Sequence, residues 1–152
     1  MEAITAIFEG IDLTKLVPEL PPLLEKLYSG ARIGVMIGPV FLLLMGLIYF
    51  LIPPKEANRH FGFRTYFGMG SVEAWQFTQK LAGIVLGGLG LILVIIMLLV
   101  SGKFAQMEPE PLFNAAARCL LWEITLVLLA YLGLFITTAI LFDRNGNRRR
   151  KR

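Results

Sequence analysis

Three stretches without a single charged side chain limit what this chain can fold into more than any other feature. Ile33–Ile52 is twenty residues long, Leu81–Gly102 is twenty-two and Ile124–Phe142 is nineteen. A helix rising about 1.5 Å per residue needs roughly twenty residues to cross the ~30 Å hydrocarbon core of a bilayer. Each run meets that length. Pro53 and Pro54 close the first, Lys80 and Lys103 bracket the second, and Trp122–Glu123 and Asp143–Arg144 bracket the third. Buried helices of a water-soluble domain would carry polar stripes at the helical period, and the first two runs carry none. Lipid offers a backbone N–H or C=O no partner outside its own segment, so each run is expected to be helical. The apolar share of the chain, 56% of 152 residues with a mean hydropathy of +0.67, is concentrated in these runs. The expected fold is an all-α integral membrane protein. It has three transmembrane helices, over about 33–52, 81–102 and 120–142, plus N-terminal amphipathic interfacial helices.

The flanks set an expected orientation, because Lys and Arg in short loops favour the cytoplasmic side. Loop 53–80 carries Lys55, Arg59, Arg64 and Lys80, and the end of the chain carries Arg144, Arg148, Arg149, Arg150, Lys151 and Arg152. Placing both inside puts ten basic residues in the cytoplasm and leaves five outside, which are Lys15, Lys26, Arg32, Lys103 and Arg118. The reading is therefore a multi-pass protein of the inner (plasma) membrane, N-terminus outside and C-terminus cytoplasmic. Residues 1–32 form an extracytoplasmic amphipathic segment on this reading. Residues 33–142 form the membrane domain with a cytoplasmic loop over 53–80, and residues 143–152 form a basic cytoplasmic tail. Segment 1–32 has no basic start and is not a signal peptide. Ile4, Ile7, Phe8 and Ile11, then Leu20, Leu23, Leu24, Leu27 and Tyr28, repeat at helical spacing. Such helices either lie flat on the membrane surface or cover a cavity. The tail "RNGNRRRKR" reads as a topology anchor that meets anionic headgroups. It has no interleaved aromatics of the kind that stack on bases, so no nucleic-acid partner is expected.

The inventory for catalysis is thin. There is one His, His60, and one Cys, Cys119. A structural zinc site takes four ligands and a catalytic one usually three, and a Cys–His mechanism needs both groups side by side. On the expected topology these two lie on opposite sides of the membrane. No Gly-rich phosphate loop is present. No cofactor, no metal and no enzymatic activity are expected, and Cys119 reads as a small buried apolar residue. Glu123 is the one acid beside a span. It reads as a headgroup-level residue near Arg118, or else as part of a transport path, since ionisable groups in a membrane usually serve one. Gly34 with Gly38, and Gly83 with Gly87, match the spacing that lets helix backbones approach within a bundle or between two copies of a chain.

The remaining oddity is "NRHFGFRTYFGMGSVEAW", residues 58–75, a polar, aromatic and glycine-rich loop between two apolar runs. Ser71 suits a helix N-cap and Glu73 a first turn, so the next helix is expected to begin near Val72. Trp75 and Lys80 would then straddle the membrane interface. Phe61, Phe63, Tyr66 and Phe67 would dip into the headgroup region. Arg64 has three roles open to it: pairing with Glu73, gripping a phosphate, or bonding the free carbonyls at the end of the first span.

The pattern Asn58-x3-Gly62-x-Arg64-Thr65, then Ser71-x-Glu73-x-Trp75, then Lys80-x2-Gly83 resembles the signature of the SdpI family of small bacterial membrane proteins. The resemblance covers about residues 40–100, and the three-span layout agrees with it. Tyr66-Phe67-Gly68 stands where members often have Pro, an aromatic and Thr, and Gln79 stands where Asn is usual. Longer members carry an additional N-terminal membrane domain, so this chain resembles the short form. The resemblance implies immunity, meaning protection of a cell against a membrane-active peptide toxin, with a regulator sequestered at the membrane as a second role. It carries Asn58, Gly62, Arg64, Thr65, Glu73, Trp75 and Lys80 over as the candidate binding set. Two other readings stand beside immunity: an accessory subunit of a larger membrane complex, and a small transporter using Glu123 and Arg118. Expected partners are membrane lipids, a peptide toxin or a regulator, and a second copy or larger assembly.

Overall fold

The computed structural model describes residues 20–57 and 61–149. Asn58, His60 and the apolar repeat from Ile4 to Ile11 lie outside the described residues. The described chain forms three long helices, α1 (Leu20–Leu51), α2 (Val72–Ser101) and α3 (Pro109–Leu141), with a 3-10 turn at Phe104–Gln106. All three are long and apolar enough to cross a membrane. Side chains that water would penalise, such as Leu99, Leu121 and Ile140, stand exposed along their outer faces.

The helices run past the uncharged cores expected from the sequence. α1 starts at Leu20, so the expected boundary between a surface segment and a span at residue 32 falls inside one unbroken helix. Pro21 and Pro22 sit in its first turn, where a missing N–H costs little. Ser29 bonds back to the Lys26 carbonyl at 3.0 Å instead of starting a turn. Long side chains such as Lys26 and Arg32 keep their charges in water while their backbone stays helical. α3 likewise begins at Pro109, eleven residues before the expected edge of the third span. The end of α1 is the expected one. Ile52 donates the last helical bond to Ile48 (2.9 Å), and the proline pair that follows has no N–H to continue it.

α1 and α2 form the tight pair. Val35, Leu42 and Tyr49 line one seam of α1 at seven-residue spacing and meet Ala82, Leu86, Leu93 and Met97 of α2. The backbones touch where side chains are missing: Gly46 lies against Gly87, Gly83 against Phe50, and Gly90 against Leu42 and Leu43. The Gly34/Gly38 pair takes no part in this seam. Nothing lies within 4 Å of a side chain placed at Gly34, and Gly38 instead faces Glu123 of α3. α3 is held more lightly. Its buried residues are Leu112, Glu123, Leu134 and Thr138, the first three at eleven-residue intervals, or three turns of helix. Glu123 therefore lies buried in the seam against α1. The sequence shows it only as the last charge before the third uncharged run, while the helix itself starts fourteen residues earlier.

Candidate functional site

Loop 52–71 is built from the first turns of α2 outward. Ser71 caps that helix: the Ala74 N–H donates to its hydroxyl at 3.1 Å, and the backbone at Ser71 is extended. The helix begins at Val72, as the capping chemistry requires. One turn in, Trp75 is completely buried inside the protein. Its indole Nε1–H donates to the Pro54 carbonyl at 2.8 Å, tying the exit of α1 to the start of α2. Gly62 crosses the face of this ring. Its φ of +121° lies in the region open to glycine, and a Cβ there would come within 2.5 Å of Trp75 Cζ2.

Gln79 holds the strand-like backbone that follows. Its Oε1 accepts the Phe63 N–H at 2.8 Å, and its Nε2 donates to the Phe63 carbonyl at 2.7 Å. One buried amide thus satisfies both main-chain groups of a residue sixteen positions away. An asparagine, one methylene shorter, would not hold the same separation. Thr65 is buried and closes the next turn, accepting the Gly68 N–H at its hydroxyl (3.0 Å) and the Met69 N–H at its carbonyl (3.1 Å). Thr78 donates to the Ala74 carbonyl (2.7 Å) and packs against Gly68, where a Cβ would lie 2.5 Å from its Oγ1.

The loop re-enters the bundle. Phe63 meets Tyr131 at a ring-centroid distance of 5.4 Å, and Phe67 meets Phe135 at 6.0 Å. These α3 residues lie ten and six positions before Leu141, about 15 Å and 9 Å along the axis. The aromatic wedge fills the space between α3 and the α1–α2 pair at this end. Tyr66 and Phe61 stay largely exposed, although the Phe61 ring reaches Tyr49 (5.8 Å).

The last described residues dock onto the same loop. Residues 143–149, the described part of the expected basic tail 143–152, fold into a turn. Asp143 accepts the N–H groups of Asn145 (2.9 Å) and Asn147 (2.8 Å), and Gly146 turns with a φ of +74°. Phe142 pairs with Arg148 in a single antiparallel bridge. The Ser71 hydroxyl donates to the Gly146 carbonyl at 2.7 Å, and Gly70 packs on the backbone of Asn145 and Gly146. The Asn147 N–H first, then its side chain, the Asn145 N–H and the Arg149 charge, hold the Asp143 carboxyl below the usual carboxylate range. The folded-state value is depressed, so this contribution is present at neutral pH. It is lost as pH falls through the depressed value. Residues 150–152 lie outside the described residues.

The seven signature positions therefore divide. Gly62, Thr65 and Trp75 are interior pieces that fix the loop. Arg64 on the loop and Glu73 and Lys80 on α2 are exposed, with Arg64 close enough to Tyr49 for its charge to be felt at the phenol. Asn58 lies outside the described residues. Gln79, Thr78, Gly68, Ser71 and Gly146 share the framework without being singled out as site residues. Of these, the Asn-Gly step at 145–146 carries a turn signal in the sequence, which the surrounding arginines obscure. Ser71→Ala should cost about 1 kcal/mol as a lost cap and should also release the C-terminal turn. Thermal unfolding in detergent reads the first effect, and proteolysis after Arg144 or Arg148 reads the second.

Three membrane-length helices and a re-entrant loop, wedged by aromatics and closed by the chain's own C-terminal turn, define a small polytopic membrane protein with a rigid polar cap at one end. The family comparison gives it a place: the model of the SdpI/YfhL protein family matches residues 55–142, and the chain belongs to that family. The match takes in the loop from residue 55 onward and α2 and α3 whole. Neither curated proteins nor solved structures give a match.

Proposed function

We propose that this chain is an immunity-type binding protein that protects a membrane from a membrane-active peptide toxin, with the loop end in the cytoplasm. The observation behind the reading is that the family match spans the loop and the two helices that build it. Over that span the buried residues make a platform, and Arg64, Glu73 and Lys80 remain exposed. A loop kept only to join two helices needs neither a buried indole nor an amide clamp. A platform that must present charges in a fixed arrangement needs both, because pre-ordering removes entropy that binding would otherwise cost. The reading is non-enzymatic: the exposed groups bind, and a membrane-held regulator would use the same face.

The test is protection. Sensitive cells expressing the chain should survive a membrane-active peptide that kills cells without it, and Arg64→Ala should abolish survival at unchanged protein level. No protection by the wild-type chain against any such peptide overturns the proposal. A second reading is an accessory subunit of a larger membrane assembly, in which α3, the span with the smallest share buried inside the bundle, would pack against a partner helix. A stoichiometric partner that survives purification would support it.

A further inference from the structure

Among the described residues one carboxyl lies inside the bundle, and the loop platform makes no use of it. Glu123 is 6% exposed and sits in the buried stripe of α3 between Leu112 and Leu134. It faces α1 at Gly38, where a Cβ would come within 2.9 Å of Oε2. Gly38 lies five residues inside the uncharged run that begins at Ile33, about 7.5 Å along the helix. Oε1 is enclosed and has no hydrogen-bond partner.

The charged groups of the surrounding helices leave it alone. Arg118, on the same helix, is exposed and donates its Nε–H to the Asn114 carbonyl at 3.1 Å. α1 has no charged residue between Arg32 and Lys55, and α2 has none between Lys80 and Lys103. Cys119, one turn earlier on α3, is the titratable group beside it. An unpaired carboxylate enclosed among helices carries a desolvation penalty that no partner here offsets. The neutral acid avoids that penalty but needs an acceptor for its O–H. The residue after Gly38 supplies one. Pro39 is fully buried within α1, and its missing N–H leaves the carbonyl of Val35 without a helical donor. Val35 is completely buried as well.

We propose that Glu123 is a proton-binding site within the membrane domain, its proton shared between α3 and the open Val35 carbonyl of α1. The enclosure of Oε1, with no basic side chain beside it, suits a proton as its ligand. When the proton leaves to water, the carboxylate that remains has no partner. α3, the helix with the fewest buried residues, is the one that moves to hydrate it. Proton occupancy thus sets the distance between α3 and the α1–α2 pair.

The experiment uses the full chain in lipid vesicles at neutral pH, treated with dicyclohexylcarbodiimide, which couples to protonated carboxyls in apolar surroundings. Mass spectrometry should find the adduct at Glu123 roughly tenfold above that at Glu108 or Glu110, and none at position 123 in Glu123→Gln. Infrared difference spectra should show a protonated-carboxyl C=O band that Glu123→Gln removes. Pro39→Ala, which returns an N–H to Val35, should shift that band to higher frequency while the adduct persists. Glutamine matches the neutral acid in shape, so that variant should keep its helix content by circular dichroism. A folded wild-type chain with no adduct and no such band overturns the proton site. A band that Pro39→Ala leaves unmoved overturns the Val35 acceptor. Neither readout depends on whether the chain protects cells from a peptide.

Discussion

Trp75→Ala is expected to lower the stability of the membrane domain by about 3–5 kcal/mol, the cost of removing a large aromatic from a closed site. Three contacts are lost together. The indole fills the space between α1's exit and α2's first turns, its N–H satisfies the Pro54 carbonyl, and its face supports the left-handed backbone at Gly62. The chain supplies its own control. Its other tryptophan, Trp122, is 66% exposed, and Trp122→Ala should fall within about 0.5 kcal/mol of wild type. Trp75→Phe should lie between, since it keeps most of the ring but leaves the Pro54 carbonyl without its donor, at about 1–3 kcal/mol. Reversible unfolding in mixed micelles, followed by circular dichroism, ranks the three. Equal losses at both tryptophans would mean that Trp75 is not the support of the loop.

That ranking also bears on function. If Gly62, Thr65 and Trp75 support the loop, their substitution removes protection by unfolding the platform, and protein levels fall with it. If Arg64 binds, its substitution removes protection while the protein persists. The two groups lie within one signature and are separated by burial alone, so a measurement of abundance beside activity tells them apart.

Much of the fold was legible because lipid permits so few solutions. An uncharged run of twenty residues has to be a helix there, and all three runs are. The cap at Ser71 was legible for a local reason: the hydroxyl and the N–H it accepts are three residues apart. The ends of the helices were not, because charge marks where hydrocarbon stops and not where helical hydrogen bonding stops. α1 continues from Leu20 through Lys26 and Arg32 for this reason. Gln79 was visible only as a departure from the family pattern, because its partner Phe63 is sixteen residues away. The turn at Asn145–Gly146 was lost among six basic residues, although its docking on Ser71 joins positions seventy-five residues apart. The role of Gly38 was also hidden. Spacing shows that a residue is small, and only the facing helix shows whether the room is for a backbone or for a carboxyl.

The second large effect is expected at Gly83. In water a larger apolar side chain at a helix interface can be offset by the area it buries. In lipid the two sides of the transfer are equally apolar, and close packing is what holds the pair together. A Cβ at position 83 would lie 2.6 Å from the nitrogen and 2.8 Å from the Cα of Phe50. The obstacle is backbone, which no rotamer change relieves. Gly83→Ala should therefore cost about 1–3 kcal/mol, and Gly83→Leu should separate α1 from α2. Trimming the facing side chain with Phe50→Ala should not rescue either variant. Gly88 provides the contrast on the same helix: it is exposed, nothing lies within 4 Å of a Cβ placed there, and Gly88→Leu should be accepted, with Leu simply meeting lipid. Unfolding in mixed micelles measures both. If Gly88→Leu is as damaging as Gly83→Leu, glycine is needed throughout α2 for some reason other than contact with α1, and the seam through Gly46, Gly83, Gly87 and Gly90 is not what holds the first two helices together.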